Sequence, residues 1–172
     1  MYQREAKLSK IIWNLLVDKL KIVPFYTDYI AAFEKLNREW IEEYFIMEEE
    51  DLMTLQNPES YVMERGGEIF FAVLDGDVVG TAALIKKSKG VYELAKMAVA
   101  KNLRGLGIGK KLLERCIDYS KERGATEIFL ITNDSLKPAL SLYLSCGFVL
   151  NEQNDDNRYE RGNTKMNLIL GE

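Results

Sequence analysis

Apolar positions along this chain alternate between helical and strand spacing. Residues 4–18 place Leu8, Ile11, Ile12, Leu15 and Leu16 on one helical face, which predicts an amphipathic helix within an N-terminal extension over residues 1–20. Residues 28–46 repeat that period, with Tyr29, Phe33, Leu36, Trp40 and Tyr44 near one stripe. A short helix is predicted over residues 60–65, between Pro58 and the break at Gly66-Gly67. Apolar runs then predict strands at residues 68–74, 78–86 and 91–99. Asp75-Gly76 joins the first two as a tight hairpin, because both residues tolerate positive φ. Helical spacing returns with Ile108, Leu112, Leu113, Cys116 and Ile117 and stops at Gly124. A strand at 127–132, a helix opened by Pro138 and closed by Gly147, and a strand starting at Phe148 follow. After a polar loop at 151–157, residues 165–170 alternate as a last strand. The sum is an α+β domain over residues 1–172: a mainly antiparallel meander, then β-α-β crossovers, giving a mixed twisted sheet with helices on both faces.

Composition narrows the chemistry. Apolar residues make up 47% of the 172 and charged residues 29%, which fits an ordinary globular protein with one sizeable core. A net charge of −4 argues against a nucleic-acid partner and leaves a cationic substrate open. Histidine is absent, so proton transfer near neutral pH falls to Glu, Asp, Tyr, Lys, Cys or water. Cys116 and Cys146 are unclustered, which predicts neither a disulfide framework nor a metal site and points to a reducing cytoplasm. The partly apolar stretch 11–20 is too short to span a membrane, is interrupted by Asn14, Asp18 and Lys19, and lacks a cleavage site.

The densest signal is Leu103-Arg104-Gly105-Leu106-Gly107-Ile108-Gly109-Lys110-Lys111. Strand, glycine loop and helix follow one another there, the layout of a backbone phosphate site. A P-loop would need glycine at Arg104 and Ser or Thr at Lys111; a dinucleotide fingerprint would need glycine at Lys110. What remains is Arg-x-x-Gly-x-Gly, which resembles motif A of the GNAT superfamily of acetyl-CoA-dependent N-acetyltransferases. Ala139-Leu140-Ser141-Leu142-Tyr143-Leu144-Ser145-Cys146-Gly147-Phe148 resembles motif B of the same family, and 94–99 resembles its fourth strand. The resemblance covers roughly residues 68–150.

The resemblance implies a GNAT-like fold, acetyl-CoA as acyl donor and no metal. It places the pantetheine arm against the backbone of Met97, Ala98 and Val99, and the pyrophosphate on amides of Arg104, Gly105, Leu106, Gly107, Ile108, Gly109 and Lys110. Tyr143 takes the family's general-acid position, and Glu93 stands where several members keep a carboxylate base, or is a solvated strand residue. Asn133 is either a cofactor contact replacing an asparagine that many members have where this chain has Leu136, or a turn residue. Lys137 is a further candidate for coenzyme A contact.

By the same resemblance, the acceptor side involves the first two helices and the late hairpin. Trp40, Tyr44 and Phe45 could line it, or form a core stripe; Arg158, Tyr159 and Arg161 stand opposite, with the two arginines available for a substrate carboxylate. The run Glu48-Glu49-Glu50-Asp51 reads as an amine attractor, a solvated face or a helix start. The expected activity is acetylation of a small-molecule primary amine. Acetylation of a protein, which would require an open groove, and a non-catalytic acyl-CoA sensor stay open beside it. Family members are often dimeric, so a homodimer is among the expected partners.

Overall fold

The computed structural model describes residues 11, 14 and 17–171. Ile11, Asn14 and Val17 are helical, and the rest of the helix expected over residues 4–18 lies outside the described residues. Seven strands form one sheet in the order β1-β2-β3-β4-β5-β7-β6. They are β1 (Leu20–Val23), β2 (Glu68–Leu74), β3 (Asp77–Ser88), β4 (Val91–Val99), β5 (Glu127–Thr132), β6 (Val149–Asn151) and β7 (Thr164–Ile169). Every neighbouring pair is antiparallel except β4 and β5. The helices are α1 (Ile30–Tyr44), α2 (Glu49–Gln56), α3 (Ile108–Glu122) and α4 (Lys137–Ser145). The expected mixed sheet with helices on both faces is what forms.

Strand alternation sorts the core into two halves. Phe70, Ala72, Ala82 and Leu84 face one side and pack on Ile108, Leu112, Leu113, Cys116 and Tyr119 of α3. Ile69, Phe71, Ala83 and Ile85 face the other and pack on Phe33 and Ile41 of α1 and Leu55 of α2. Phe71 meets Tyr29 and Phe33 edge-on, with ring centroids 5.2 and 6.4 Å away.

One local expectation changes: residues 59–63 form one π-helical turn in place of the short helix expected at 60–65. Of the readings open for the acidic run, the helix start is what forms: it opens α2 with a capping box, the Glu48 side chain accepting from the Asp51 amide and the Asp51 side chain accepting from the Glu48 amide at 3.0 Å. No helix among the described residues is long and apolar enough to cross a membrane.

Close packing of α3 on the sheet depends on Gly80. A Cβ there would lie 3.0 Å from Leu112 Cδ1 and 3.3 Å from both Ala72 Cβ and Ile108 Cγ2. Gly80→Val is therefore expected to destabilise the fold by roughly 1–3 kcal/mol through overpacking. Thermal denaturation reads this directly, and an unchanged midpoint would show that α3 has room to move.

Candidate functional site

The site begins where β4 leaves β5. These parallel strands pair only at Val91–Glu93 with Glu127–Phe129, then separate. The cause lies on the other side of β4. Thr81 pairs with Ala98 and Ala83 with Ala95, so Lys96 and Met97 together oppose Ala82 alone. This is a β-bulge, and Lys96 sits in it at φ 51°. The Thr81 hydroxyl donates to the Lys96 carbonyl at 2.9 Å, and the buried Asn37 amide donates to Thr81 and to the Phe33 carbonyl, each at 2.9 Å. An asparagine from α1 thus fixes the bulge. The separation opens a cleft lined by α1, β4, β5, Tyr143 and the loop before β7.

At the end of β4 the glycine loop turns into α3. Gly105 and Gly107 stand at φ 79° and 86°, a region that favours glycine. Among the described residues, the amides of Gly105 to Lys110 donate to no backbone acceptor. They stand without an acceptor at a helix N-terminus, where an anion is favoured. Gly109 seats α3 against the cleft, since a Cβ there would lie 3.3 Å from Met97 Cε and 3.6 Å from Leu142 Cδ2. Arg104 shapes the loop with its side chain: Nε donates to the Val99 carbonyl at 3.0 Å, and a terminal nitrogen pairs with Glu43 at 2.8 Å. Ile108 and Ala98 point into the core, while Met97, Val99 and Leu106 are half-buried and Lys110 is exposed.

Tyr143 enters the cleft from α4, its ring packed against Phe148 at 5.9 Å. Its hydroxyl makes no hydrogen bond among the described residues, and burial pushes its pKa up to about 12. Asn133 lines the cleft but spends its side chain on the chain itself. Its amide nitrogen donates to the Arg161 carbonyl at 2.8 Å and its oxygen accepts from the Ser135 amide at 2.9 Å. The turn role therefore describes Asn133 better than a cofactor contact. Lys137 is exposed on the first turn of α4, outside the residues that line the cleft.

The acceptor side differs from expectation in several places. Trp40 and Phe45 line the cleft; Tyr44 does not, being 49% exposed with its hydroxyl 3.5 Å from Arg104. Glu93 is not solvated: it is 1% exposed, with Oε1 accepting from Arg158 at 2.9 Å and Oε2 3.3 Å from Lys87. Arg158 does not line the cleft and is bound to Asp156 as well as Glu93. Arg161 does line it, yet binds Asp51 through two bonds of 2.7 Å and Glu48 at 2.6 Å. Arg161 is thus committed to carboxylates of the chain, while Arg158, outside the cleft lining, keeps Nη1 without a hydrogen bond, 3.6 Å from Glu50.

Sequence reasoning gives Lys96 no role and reads Asp51 only as part of the acidic run. Lys96 Nζ donates to Asp51 at 2.8 Å and to the Tyr159 hydroxyl at 3.0 Å, and both charged residues are buried. The one available signal was a lysine inside the apolar run Leu94–Val99. Glu48 also accepts from the Glu160 amide at 2.8 Å, so the start of α2 and the loop before β7 are stitched together across the edge of the cleft.

The sequence profile of the acetyltransferase (GNAT) family matches residues 31–148. An uncharacterised N-acetyltransferase of Bacillus subtilis is 32% identical over 101 residues, covering 57% of this chain and 65% of its own length. Further curated relatives are longer, the chain spanning only 31–42% of them. A GNAT-family acetyltransferase structure from Staphylococcus aureus superimposes with a TM-score of 0.80 at 26% identity, over 88% of this chain and 99% of that one. A putative acetyltransferase from Salmonella typhimurium, solved with its cofactor acetyl-CoA, shares the fold with a TM-score of 0.71 at 20% identity, over 89% and 95% of the two chains.

The buried charges make stability depend on acid. Burial opposes ionisation of Asp51, but the Arg161 hydrogen bonds and the Lys96 charge outweigh it and hold the carboxyl below its ordinary 3.8. Hydrogen bonds from Arg158 hold Asp156 below the same value. A carboxyl depressed in the fold stabilises fully above its unfolded pKa, and that stability disappears as pH falls through the folded one. The melting temperature is therefore expected to fall on acidification below about pH 4. Asp51→Asn, which strands Lys96 and Arg161, is expected to cost about 3–5 kcal/mol at neutral pH and to flatten that acid limb. A wild-type midpoint that holds constant from neutral pH down to about pH 2.5 would contradict this account.

Proposed function

The chain belongs to the acetyltransferase (GNAT) family, and from that premise we propose that it transfers the acetyl group of acetyl-CoA to a primary amine of a small molecule. One observation carries the reading: the unpaired edge of β4 and Tyr143 line one cleft, and the glycine loop follows directly from the end of that strand, with amides from Gly105 to Lys110 that have no backbone acceptor among the described residues. The edge of β4 from Leu94 to Val99 has no strand on its β5 side, so backbone groups of Met97 and Val99 suit an amide-bearing arm added as a strand would be. The loop amides suit a diphosphate, each charge-assisted bond contributing roughly 1.5–3 kcal/mol. Gly105 admits a close approach, since a Cβ there would touch nothing within 4 Å.

Acetyl-CoA supplies an activated acyl group: a C–N bond forms as the C–S bond breaks. In this reading Glu93 takes the proton from the amine through water, and Tyr143 gives its proton to the departing sulfur. A phenol raised to about 12 is a weak acid for an ordinary thiolate. Burial raises a thiol in the same direction, as it does the core thiol of Cys116, which favours protonation of the departing sulfur. The stitch between α2 and the loop before β7 supports a small acceptor over a protein chain. Arg161 bonds to Asp51 and Glu48 close the side of the cleft along which an extended peptide would otherwise pass.

Two variants test this. Tyr143→Phe is expected to lower kcat by about 10²–10⁴ with acetyl-CoA affinity nearly unchanged, measured by thiol release and calorimetry. Full turnover would reduce Tyr143 to a packing residue. Lys110→Glu places a negative charge on the first turn of α3 with no core contact, and is expected to weaken acetyl-CoA binding about tenfold at an unchanged melting temperature. Undiminished binding would remove the loop from the cofactor site, and binding without turnover of any amine would favour a sensor.

A further inference from the structure

Resting on that reading, we infer that the acceptor is a primary amine borne on an apolar, aromatic body, with no carboxylate beside the amine. The first ground is the state of the cations. Lys96 and Arg161 are the cationic side chains that line the cleft, and both are bound to Asp51, which is 0% exposed. Arg161 is further held by Glu48, and Lys96 by the Tyr159 hydroxyl. A substrate carboxylate in the cleft would have to displace a buried aspartate from these partners, leaving Asp51 uncompensated; the one buried arginine nitrogen without a hydrogen bond among the described residues, Arg158 Nη1, belongs to a side chain that does not line the cleft and stands 3.6 Å from Glu50.

The sign of the local charge points the same way. Glu48, Glu50, Asp51, Glu93 and Asp156 face Lys87, Lys96, Arg158 and Arg161, an excess of one negative charge. Within the cleft, Oε2 of Glu93 is buried and accepts no hydrogen bond; its nearest cation, Lys87, stands 3.3 Å away on a partly exposed side chain. An entering ammonium supplies the donor that this oxygen lacks, whereas an α-carboxylate would set like charges side by side.

The walls give the rest of the molecule. Trp40 and Phe45, with ring centroids 6.3 Å apart, form one side beside Ile41. Tyr159 also lines the cleft, and the Arg161 guanidinium carbon stands 4.9 Å from its ring and 5.8 Å from that of Phe45. The amide nitrogen of the neighbouring Asn37 is spent on Phe33 and Thr81. A flat apolar body suits the wall made by Trp40, Ile41 and Phe45.

The experiment compares matched pairs that differ only in the carboxylate: phenethylamine with phenylalanine and tryptamine with tryptophan, alongside aspartate, spermidine and an alanine-initiated peptide. Acetyl-CoA binding is measured separately by calorimetry. The carboxylate-free aromatic amines are expected to show a kcat/KM at least about 100-fold above their amino-acid partners. Trp40→Ala is expected to raise the KM for tryptamine about tenfold or more while the Kd for acetyl-CoA stays the same. Equal or better use of the amino acids, or preference for aspartate, spermidine or the peptide, overturns the inference and leaves acetyl transfer standing. Inertness of the whole panel with acetyl-CoA still bound also overturns it, while failure to bind acetyl-CoA removes the acetyl-transfer reading beneath it.

Discussion

The left-handed bulge at Lys96 is the constraint on which the site depends. A lysine at φ 51° costs on the order of 1–3 kcal/mol, and only surrounding structure keeps it there. Thr81 and Asn37 hold its carbonyl from the β3 and α1 side, and Asp51 and Tyr159 hold its ammonium from the far side. The extra residue turns β4 away from β5 after three pairs. Were β4 straight, it would continue alongside β5, its free edge would be consumed in the ladder, and Tyr143 would face a closed sheet.

The two faces of the sheet divide the work that follows from this split. The α3 face is almost wholly apolar, from Phe70 and Leu84 to Leu112 and Leu113, and it aims the glycine loop at the open end of β4. The α1 and α2 face carries the buried polar cluster, with Asn37, Asp51, Thr81, Glu93 and Lys96 all below a tenth exposed. Rigidity on the first face sets where a diphosphate could lie. Paired charges on the second hold the walls of a cleft that apolar side chains of the same size would fill.

What could be read from the sequence is what depends on near neighbours. Strand alternation at Glu68–Leu74, the hairpin at Asp75-Gly76 and the glycine loop each lie within a dozen residues, and each appears where expected. The ion pairs could not be read, because Arg161 and Asp51 stand 110 residues apart and Arg158 and Glu93 stand 65 apart. Nothing in the acidic run distinguishes Asp51, buried by its helix phase, from the exposed Glu49 two positions earlier. Tyr44 and Phe45 show the same limit. They sit at the end of α1, where one residue of phase separates a side chain facing solvent from one facing the cleft.

Lys96 also reports how this cleft treats an ammonium. Burial lowers its pKa below the ordinary 10.5 even though Asp51 lies 2.8 Å away and pulls the other way. An acceptor amine in the same surroundings meets the same desolvation, with less direct compensation than a buried aspartate gives. Its proton is therefore loosened before any base acts. Tyr143 shows the opposite sign for an acid, raised by burial alone, and a thiolate released beside it would hold a proton more tightly for the same reason.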